Sequence, residues 1–238
     1  MHIGLIGGIG PAATEFYYRG LIDRYALSEM ALDLTIAHAD VREMGRNLAN
    51  RDTKKQAEVF AELLRRLRAA GAKIAAVTSM GGHFCIGELE AISAIPVVNA
   101  LPVVGAAIAE RAYKMVGIIG TRMVMETRLY GVISSATVLV PEDDEFEEVQ
   151  ANYGAMAMHG RVTDSQRLPY APGGRTRLGE ERHLCVSSFA RGADWSIEVR
   201  KLCSSAEPIC SSHFKGRIAV FLCSTSLMCT STRSFKGR

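Results

Sequence analysis

The 238-residue sequence predicts an α/β fold built on parallel sheets. Over residues 3–120, short apolar runs alternate with segments that have helical periodicity. Such runs are typical of strands in parallel sheets, because helices cover both faces of the sheet. Hydrophobic residues make up 48% of the chain and charged residues 22%, which excludes a disordered chain or a coiled coil for most of its length.

The first part of the chain is expected to contain four strands, at residues 3–8, 32–38, 73–78 and 95–98. Helices are expected at residues 11–27 and 54–70. Pro11 suits the first turn of the earlier helix, and Asp52 or Thr53 can cap the later one. Gly71 is well placed to end that helix.

The alternation continues beyond residue 100, with helices expected at 102–111 and 121–134 and strands at 114–120 and 137–140. Six acidic residues between positions 142 and 148 then begin another helix, where they complement its positive N-terminal dipole. After about residue 168 the periodicity fades, and only residues 217–223 still resemble a strand.

The net charge of +3 is an average over two unlike segments. Residues 1–160 carry 15 Lys and Arg against 19 Asp and Glu, whereas residues 161–238 carry 13 against 6. Five of the six cysteines also lie in the second segment, and the overall charge therefore gives no reason to expect a nucleic-acid partner. No apolar run reaches the roughly 18 residues of a membrane span, and the N-terminus lacks a leader pattern. We expect a cytoplasmic protein with no membrane partner.

The glycine-rich stretch Gly7-Gly8-Ile9-Gly10-Pro11 joins the first expected strand to the first expected helix. Backbone N–H groups at such a helix start can bind an anion, with Gly10 at the centre of the loop. Gly8, Gly10 and Ala13 also match the loose dinucleotide pattern. The acidic residue that this pattern expects roughly 20 positions later is missing, since Asp40 lies too far along the chain. Carboxylate binding is therefore favoured, and an NAD(P)-dependent oxidoreductase is kept as an alternative.

Two further stretches combine hydroxyl groups with glycine after a strand. Residues 77–85 follow the third expected strand and contain Thr78, Ser79, His83 and Cys85. Gly120-Thr121-Arg122 lies in the same kind of arrangement, in which an expected strand is followed by a glycine, a hydroxyl side chain and an expected helix. Ligands of open α/β sheets bind at the carboxyl ends of the strands, and these two units therefore suggest two similar lobes facing one cleft.

Taken together, these motifs resemble the aspartate/glutamate racemase family of cofactor-independent amino-acid racemases. The likeness covers about residues 1–168 and rests on residues 3–14, 17–19, 78–83, 120–122, Met125, Glu126 and 160–164. It implies two Rossmann-like lobes related by a pseudo-twofold axis, with the active site between them. It also implies a homodimer that acts on a small acidic amino acid without pyridoxal phosphate or another cofactor.

The same resemblance divides the chain into segments. Residues 1–98 are expected to form the first α/β lobe, which C-terminal residues could complete. Residues 99–207 are expected to form the second lobe, poorly specified after residue 168, and residues 208–238 a divergent C-terminal segment.

The reaction that the resemblance implies is a 1,1-proton transfer at Cα, which needs one acid/base group on each face of the carbon. Thr78 stands where the family has its first cysteine, Ser79 where it has an asparagine, and His83 matches the motif histidine. A threonine hydroxyl is a poorer base than a thiolate, and Cys85 could replace it only if the loop turned that thiol into the cleft. Arg51 matches a carboxylate-binding arginine.

No cysteine stands at the family's second thiol position. Cys223, after the expected strand at residues 217–223, is preferred for that role over Cys185. The expected catalytic residues are therefore Thr78, Cys223 and Cys85, and the expected substrate-binding residues are Gly10, Arg51, Ser79, His83 and Thr121.

Three other hypotheses concern these departures from the family pattern. The chain could be a catalytically inactive relative that binds a small carboxylate. The tail after Leu168 could arise from a shifted reading frame or a divergent gene end. A zinc site formed by Cys203, Cys210, His213 and Cys223 is disfavoured because the spacings are irregular, and no metal is expected.

Overall fold

A computed structural model describes residues 1–28 and 30–160, together with the backbone of residues 218–222. These residues contain seven strands: β1 (His2–Gly7), β2 (Asp33–His38), β3 (Ile74–Val77), β4 (Val97–Val98), β5 (Met115–Ile119), β6 (Thr137–Leu139) and β7 (Ile218–Leu222). The helices are α1 (Pro11–Ser28), α2 (Val41–Ala49), α3 (Thr53–Ala69), α4 (Ile86–Ile92), α5 (Ala100–Glu110), α6 (Arg122–Glu126) and α7 (Asp143–His159), with a 3-10 helix at Gly81–Cys85. The expected α/β class with parallel sheets is confirmed.

The first sheet has the strand order β2-β1-β3-β4, and every neighbouring pair is parallel. In β1, Ile6 pairs with Ala37 on one side and with Val77 on the other. Since the strands are parallel, their carboxyl ends meet at one edge. That edge carries the glycine loop after β1 and residue Thr78 after β3.

The second sheet has the order β6-β5-β7 and is also parallel. Strand β7 pairs with β5 along its whole length, from Met115 opposite Ile218 to Ile119 opposite Leu222. The strand expected at residues 217–223 is therefore confirmed. Strand β5 is the middle strand of this sheet, and the Gly120-Thr121-Arg122 stretch follows its carboxyl end.

A single cluster of buried apolar side chains contains residues from both sheets. It includes Ile6 and Val77 of the first sheet and Val116 and Ile118 of the second. Helix α3 contributes Phe60, which is fully buried. The two sheets therefore share a core, while the pseudo-twofold axis and the three-segment division of the chain stay predictions.

Local capping explains where α3 begins and ends. The Asp52 side chain accepts a hydrogen bond of 3.0 Å from the backbone N–H of Lys55, as expected for an N-cap residue. At the other end, Gly71 has a φ of +103°, a left-handed conformation that glycine adopts without strain. The boundaries expected from the sequence are confirmed to within about one residue.

The prediction of a helix over residues 121–134 is wrong beyond Glu126. Helix α6 ends there, and Arg128, Leu129 and Tyr130 follow with positive φ angles. The sequence interpretation also missed α2, the 3-10 helix and α4. Within the described ranges, no helix is both long enough and apolar enough to cross a bilayer.

Candidate functional site

The loop after β1 is shaped by two glycines in left-handed conformations. Gly8 has a φ of +85° and Gly10 a φ of +101°. A Cβ atom on Gly8 would lie 2.6 Å from the carbonyl oxygen of Ala39, which is too close for any side chain. The loop therefore fits tightly against the carboxyl end of β2 before α1 begins at Pro11.

Thr78, the first residue after β3, is fully buried and takes part in a chain of hydrogen bonds. The N–H of Gly8 donates to Thr14 Oγ1 at 3.0 Å, and Thr14 Oγ1 lies 3.1 Å from Thr78 Oγ1. The Thr78 hydroxyl donates to the carbonyl oxygen of Ile6 at 3.0 Å. Since the Thr78 proton points to Ile6, the Thr14 hydroxyl must be the donor to Thr78. The Thr78 hydroxyl is thus neutral and fixed in orientation.

His83 holds the loop that follows β3. Its Nδ1–H donates to the carbonyl oxygen of Ser79 at 2.8 Å, and its Nε2 accepts from the backbone N–H of Ala100 at 3.3 Å. Both ring nitrogens are therefore used within the protein, and the hydrogen bonds assign the neutral tautomer with hydrogen on Nδ1. Burial lowers the pKa of His83 to about 4. The imidazole connects the Ser79 backbone to the first residue of α5.

Ser79 and Thr121 come together around Gly81, although they follow strands of different sheets. A Cβ atom on Gly81 would lie 3.2 Å from Thr121 Cγ2 and 3.5 Å from Ser79 Oγ. Thr121 caps α6 by accepting a hydrogen bond from the N–H of Val124 at 3.4 Å. Its hydroxyl proton and the Ser79 hydroxyl form no hydrogen bond with the described residues. Two hydroxyl groups therefore lie where the two sheets approach each other.

Arg51 lies on the same side of the molecule as α6. Its Nη2 donates to Glu126 Oε2 at 3.1 Å, and its side chain is 70% exposed. Arg122 lies 3.6 Å from the other oxygen of Glu126 and donates to both oxygens of Glu147. A chain of alternating charges therefore connects the end of α2 to α6 and α7. Such exposed pairs contribute little to stability, so Glu126 can release Arg51 to another carboxylate at small cost.

The sequence pattern of the Asp/Glu/Hydantoin racemase family matches residues 6–166, which is more than half of the chain. The chain belongs to this family. The matched region includes the glycine loop, Thr78, Ser79 and Thr121. It ends close to residue 168, where the likeness was expected to stop.

Two solved structures share the fold of this racemase-family chain. An aspartate racemase homologue from Pyrococcus horikoshii OT3 is 23% identical, with a TM-score of 0.52, over 63% of this chain and 68% of that protein. A candidate Asp/Glu racemase from Yersinia pestis is 24% identical, with a TM-score of 0.57, over 70% of this chain and 76% of that protein.

Cys85 is the cysteine of the racemase-family region, and it is buried. Its side chain is 0% exposed and packs in the shared apolar core. The thiol donates to the carbonyl oxygen of Gly82 at 3.5 Å, and burial raises its pKa to about 12. The loop does not turn this thiol towards solvent, and it stays protonated at neutral pH.

The expected cysteines of the tail lie outside the described residues. These are Cys223 and Cys185, and the disfavoured zinc site with Cys203, Cys210 and His213 lies there as well. Strand β7 ends at Leu222, and Cys223 is the next residue in the sequence. In the described part of the chain, no three potential metal-ligating side chains form a group.

Two residues that contact the site, Thr14 and Tyr130, were not expected to have a role. Thr14 lies in the opening motif, and its hydroxyl joins the glycine loop to Thr78. The position of Thr14, one helical turn into α1 and close to the glycine loop, could have indicated this contact from the sequence. Tyr130 donates its hydroxyl proton to the carbonyl oxygen of Met80 at 3.1 Å. No sequence signal pointed to that contact, because it depends on an unusual backbone turn.

Proposed function

We propose that the chain is a cofactor-independent racemase of a small acidic amino acid. One observation carries the proposal: hydroxyl groups from the carboxyl ends of β3 and β5 converge between two parallel sheets, in a chain of the racemase family. This convergence supports carboxylate binding between the sheets, and a 1,1-proton transfer also needs acid/base groups on opposite sides of the same carbon.

The carboxylates of the substrate would be bound by neutral hydroxyl groups and one cation. Ser79 and Thr121 supply hydroxyls at the junction of the sheets, and the loop around Gly10 supplies the positive end of α1. Arg51 is the cation, once a substrate carboxylate replaces Glu126 as its partner. Donors on the α-carboxylate stabilise the carbanion that forms when Cα loses its proton.

His83 is better suited to a positioning role than to direct substrate contact. Both of its nitrogens are engaged with the backbone, and its side chain is 2% exposed. A neutral, buried imidazole fixes the Ser79 backbone without adding a charge to the site. In this proposal His83 therefore orients Ser79, the residue that binds the carboxylate.

The proton transfer itself would use Thr78 on one face of Cα and Cys223 on the other. The Thr14 hydroxyl donates to Thr78 Oγ1, and such a donor would stabilise negative charge on that oxygen after Thr78 gives its proton to the Cα carbanion that Cys223 forms by removing the Cα proton. Cys223 follows β7, and β7 lies beside β5, the strand that leads to Thr121. Thr78 follows a strand of the first sheet, and Cys223 comes after a strand of the second sheet in the sequence, which supports assigning them to opposite faces of Cα.

A specific observation also supports an inactive, carboxylate-binding relative. The Thr78 hydroxyl donates its proton to the carbonyl oxygen of Ile6, and a carbonyl cannot accept that proton permanently. If the hydroxyl cannot turn away from Ile6, carboxylate binding at Ser79 and Thr121 remains possible while proton transfer stops. Binding and proton transfer must therefore be measured separately.

The decisive experiment follows the Cα proton. The purified full chain is incubated in heavy water with L- and D-aspartate and with L- and D-glutamate, and loss of the Cα–H signal is followed by NMR. We expect deuterium at Cα and formation of the opposite enantiomer, both unaffected by pyridoxal phosphate or EDTA. Calorimetry with the same amino acids measures binding independently. Binding without deuterium incorporation would support the inactive relative instead.

Two variants test the assigned roles. Thr78→Val and Cys223→Ala should each abolish racemisation, because one face of Cα then lacks its acid/base group. Thr78→Val should still allow deuterium exchange on one enantiomer only, since Cys223 can remove that Cα proton as a thiolate, whereas Cys223→Ala should allow none, because the remaining Thr78 hydroxyl is neutral. Cys229→Ala, another tail cysteine without a proposed role, is the matched control and should behave like the unmodified protein. Equal activity of Cys223→Ala and Cys229→Ala would remove Cys223 from the mechanism.

A further inference from the structure

The segment after α6 is a turn of left-handed backbone. Arg128, Leu129 and Tyr130 have φ angles of 49°, 59° and 56°, and Gly131 continues with 70°. Residues with a Cβ atom avoid this region because the Cβ comes too close to the following carbonyl oxygen. Three such residues in succession persist only where the surrounding structure holds them, and strain of this kind often marks a functional position.

Backbone hydrogen bonds hold the turn in place. The N–H of Leu129 donates to the carbonyl oxygen of Val124 at 2.8 Å, and that of Gly131 donates to Thr127 at 2.9 Å. The N–H of Tyr130 donates to Thr127 Oγ1, also at 2.9 Å. The Leu129 side chain is 1% exposed in the shared core. The turn therefore places the Leu129 side chain in the core and directs the Tyr130 side chain towards the first sheet.

The Tyr130 hydroxyl bridges the two sheets at the candidate site. It donates to the carbonyl oxygen of Met80 at 3.1 Å and lies 3.4 Å from that of Gly81. Met80 and Gly81 directly follow Ser79, and Gly81 is the residue against which Thr121 packs. The Tyr130 contact therefore connects the segment that begins at Thr121 to the loop that carries Ser79.

We propose that Tyr130 is a positioning residue that sets the spacing between the Ser79 and Thr121 hydroxyls. The proposal rests on the proposed function, in which these two hydroxyls bind substrate carboxylate. Without the tyrosine hydroxyl, no hydrogen bond between described residues joins the loop after β3 to the segment that follows β5, and the spacing varies. Thr78 is held separately, by Thr14 and Ile6, so its orientation does not depend on Tyr130.

The variant Tyr130→Phe tests this role, because it removes only the hydroxyl and keeps the ring. Tyr113→Phe is the matched control, since Tyr113 packs against the same core and its hydroxyl has no hydrogen-bond partner among the described residues. We expect Tyr130→Phe to raise KM, or the Kd for L-aspartate, about fivefold or more, the factor expected for one lost hydrogen bond. The kcat value should change less than about twofold, because proton transfer uses Thr78.

Amide hydrogen exchange gives a readout that needs no activity. The N–H of Gly82 donates to Ser79 and that of His83 donates to Met80, so both amides report on the loop. We expect both to exchange about fivefold faster in Tyr130→Phe, with unchanged circular dichroism and unchanged exchange in α3.

The outcomes separate this proposal from the proposed function. If the unmodified protein neither binds nor deuterates acidic amino acids, the racemase proposal fails, and the exchange of Gly82 and His83 alone decides whether Tyr130 holds the loop. The role of Tyr130 is overturned if Tyr130→Phe leaves KM and both amides unchanged, or if Tyr113→Phe produces an equal effect. A fall in kcat with constant KM would also overturn it.

Discussion

At the residue scale, the buried His83 makes stability depend on pH. Burial lowers its pKa to about 4 in the folded protein, whereas an unfolded chain has the ordinary value of about 6.5. Between these values the unfolded state binds a proton that the folded state does not, so the folded state loses stability as pH falls from 6.5 towards 4. We expect a loss of about 2 kcal/mol between pH 7.5 and pH 5 from this residue.

Urea unfolding at the two pH values measures this effect in three proteins. His83→Asn should be less stable at pH 7.5, because the hydrogen bonds to Ser79 and Ala100 are altered, but it should lose less stability on acidification. His159→Asn is the control, since His159 is exposed at the last turn of α7. An equal pH dependence in the unmodified protein and in His83→Asn would show that His83 is not its source.

A second residue-scale prediction concerns Thr14. Thr14→Val keeps the side-chain shape but leaves the Gly8 N–H and Thr78 Oγ1 without their partner. Loss of these partly buried hydrogen bonds should lower the free energy of unfolding by about 1–3 kcal/mol. Thr14→Ser retains the hydroxyl and should recover most of that loss. Equal urea midpoints for Thr14→Val and Thr14→Ser would show that the hydroxyl chain contributes no stability.

At the element scale, the sequence predicted regular segments well and special turns poorly. The α3 boundaries followed from Asp52 and Gly71, because a cap and a stop act locally. Helix α6 was expected to continue to residue 134, because the residues after Glu126 contain no glycine or proline before Gly131. Tertiary contacts, such as the burial of Leu129 and the Tyr130 contact to Met80, select a left-handed turn instead. A local pattern contains no signal for such contacts.

The contrast between a regular helix and a left-handed turn predicts opposite changes in stability when alanine replaces Gly45 and Gly131. Gly45 lies inside α2 with nothing within 4 Å of its ideal Cβ position, so Gly45→Ala should stabilise the protein by about 0.5–1 kcal/mol. Gly131 also has an open Cβ position, but its φ is +70°, so Gly131→Ala should destabilise the protein by about 1 kcal/mol. Thermal unfolding compares the two directly. Effects of the same sign would contradict the assigned backbone conformations.

At the scale of the whole molecule, the sequence predicted which residues follow the strands but not the details of their hydrogen bonding. Thr78, Ser79 and Thr121 were expected at strand ends, and the structure brings Ser79 and Thr121 together at Gly81. The engagement of His83 with two backbone groups could not be predicted, because its partners lie on separate elements. The roles assigned to these residues and to Cys223 stay predictions that the exchange experiments address.

The number of strands in the second sheet depends on the tail after residue 168. The family match ends at residue 166, and a shifted reading frame near codon 168 is a testable explanation for the basic, cysteine-rich composition beyond it. If this explanation holds, another frame of the gene should encode a strand followed by a Gly-Cys-Thr motif. The present tail nevertheless supplies β7, which pairs with every residue of β5. This strand therefore completes the backbone pairing of β5 on one side, whatever its origin.

A chain that ends at residue 207 tests that function, because it lacks β7 and the rest of the expected C-terminal segment. Of the described strands, β5 would then pair with the three residues of β6 alone, and a two-stranded sheet is marginally stable in water. We expect faster amide exchange in β5 and lower urea resistance, while β1 and β3 keep their protection because their partners remain. Unchanged protection of Val116 and Ile118 would show that β7 is not needed. Equal loss of protection in β1 would show instead that the shared core unfolds as one unit.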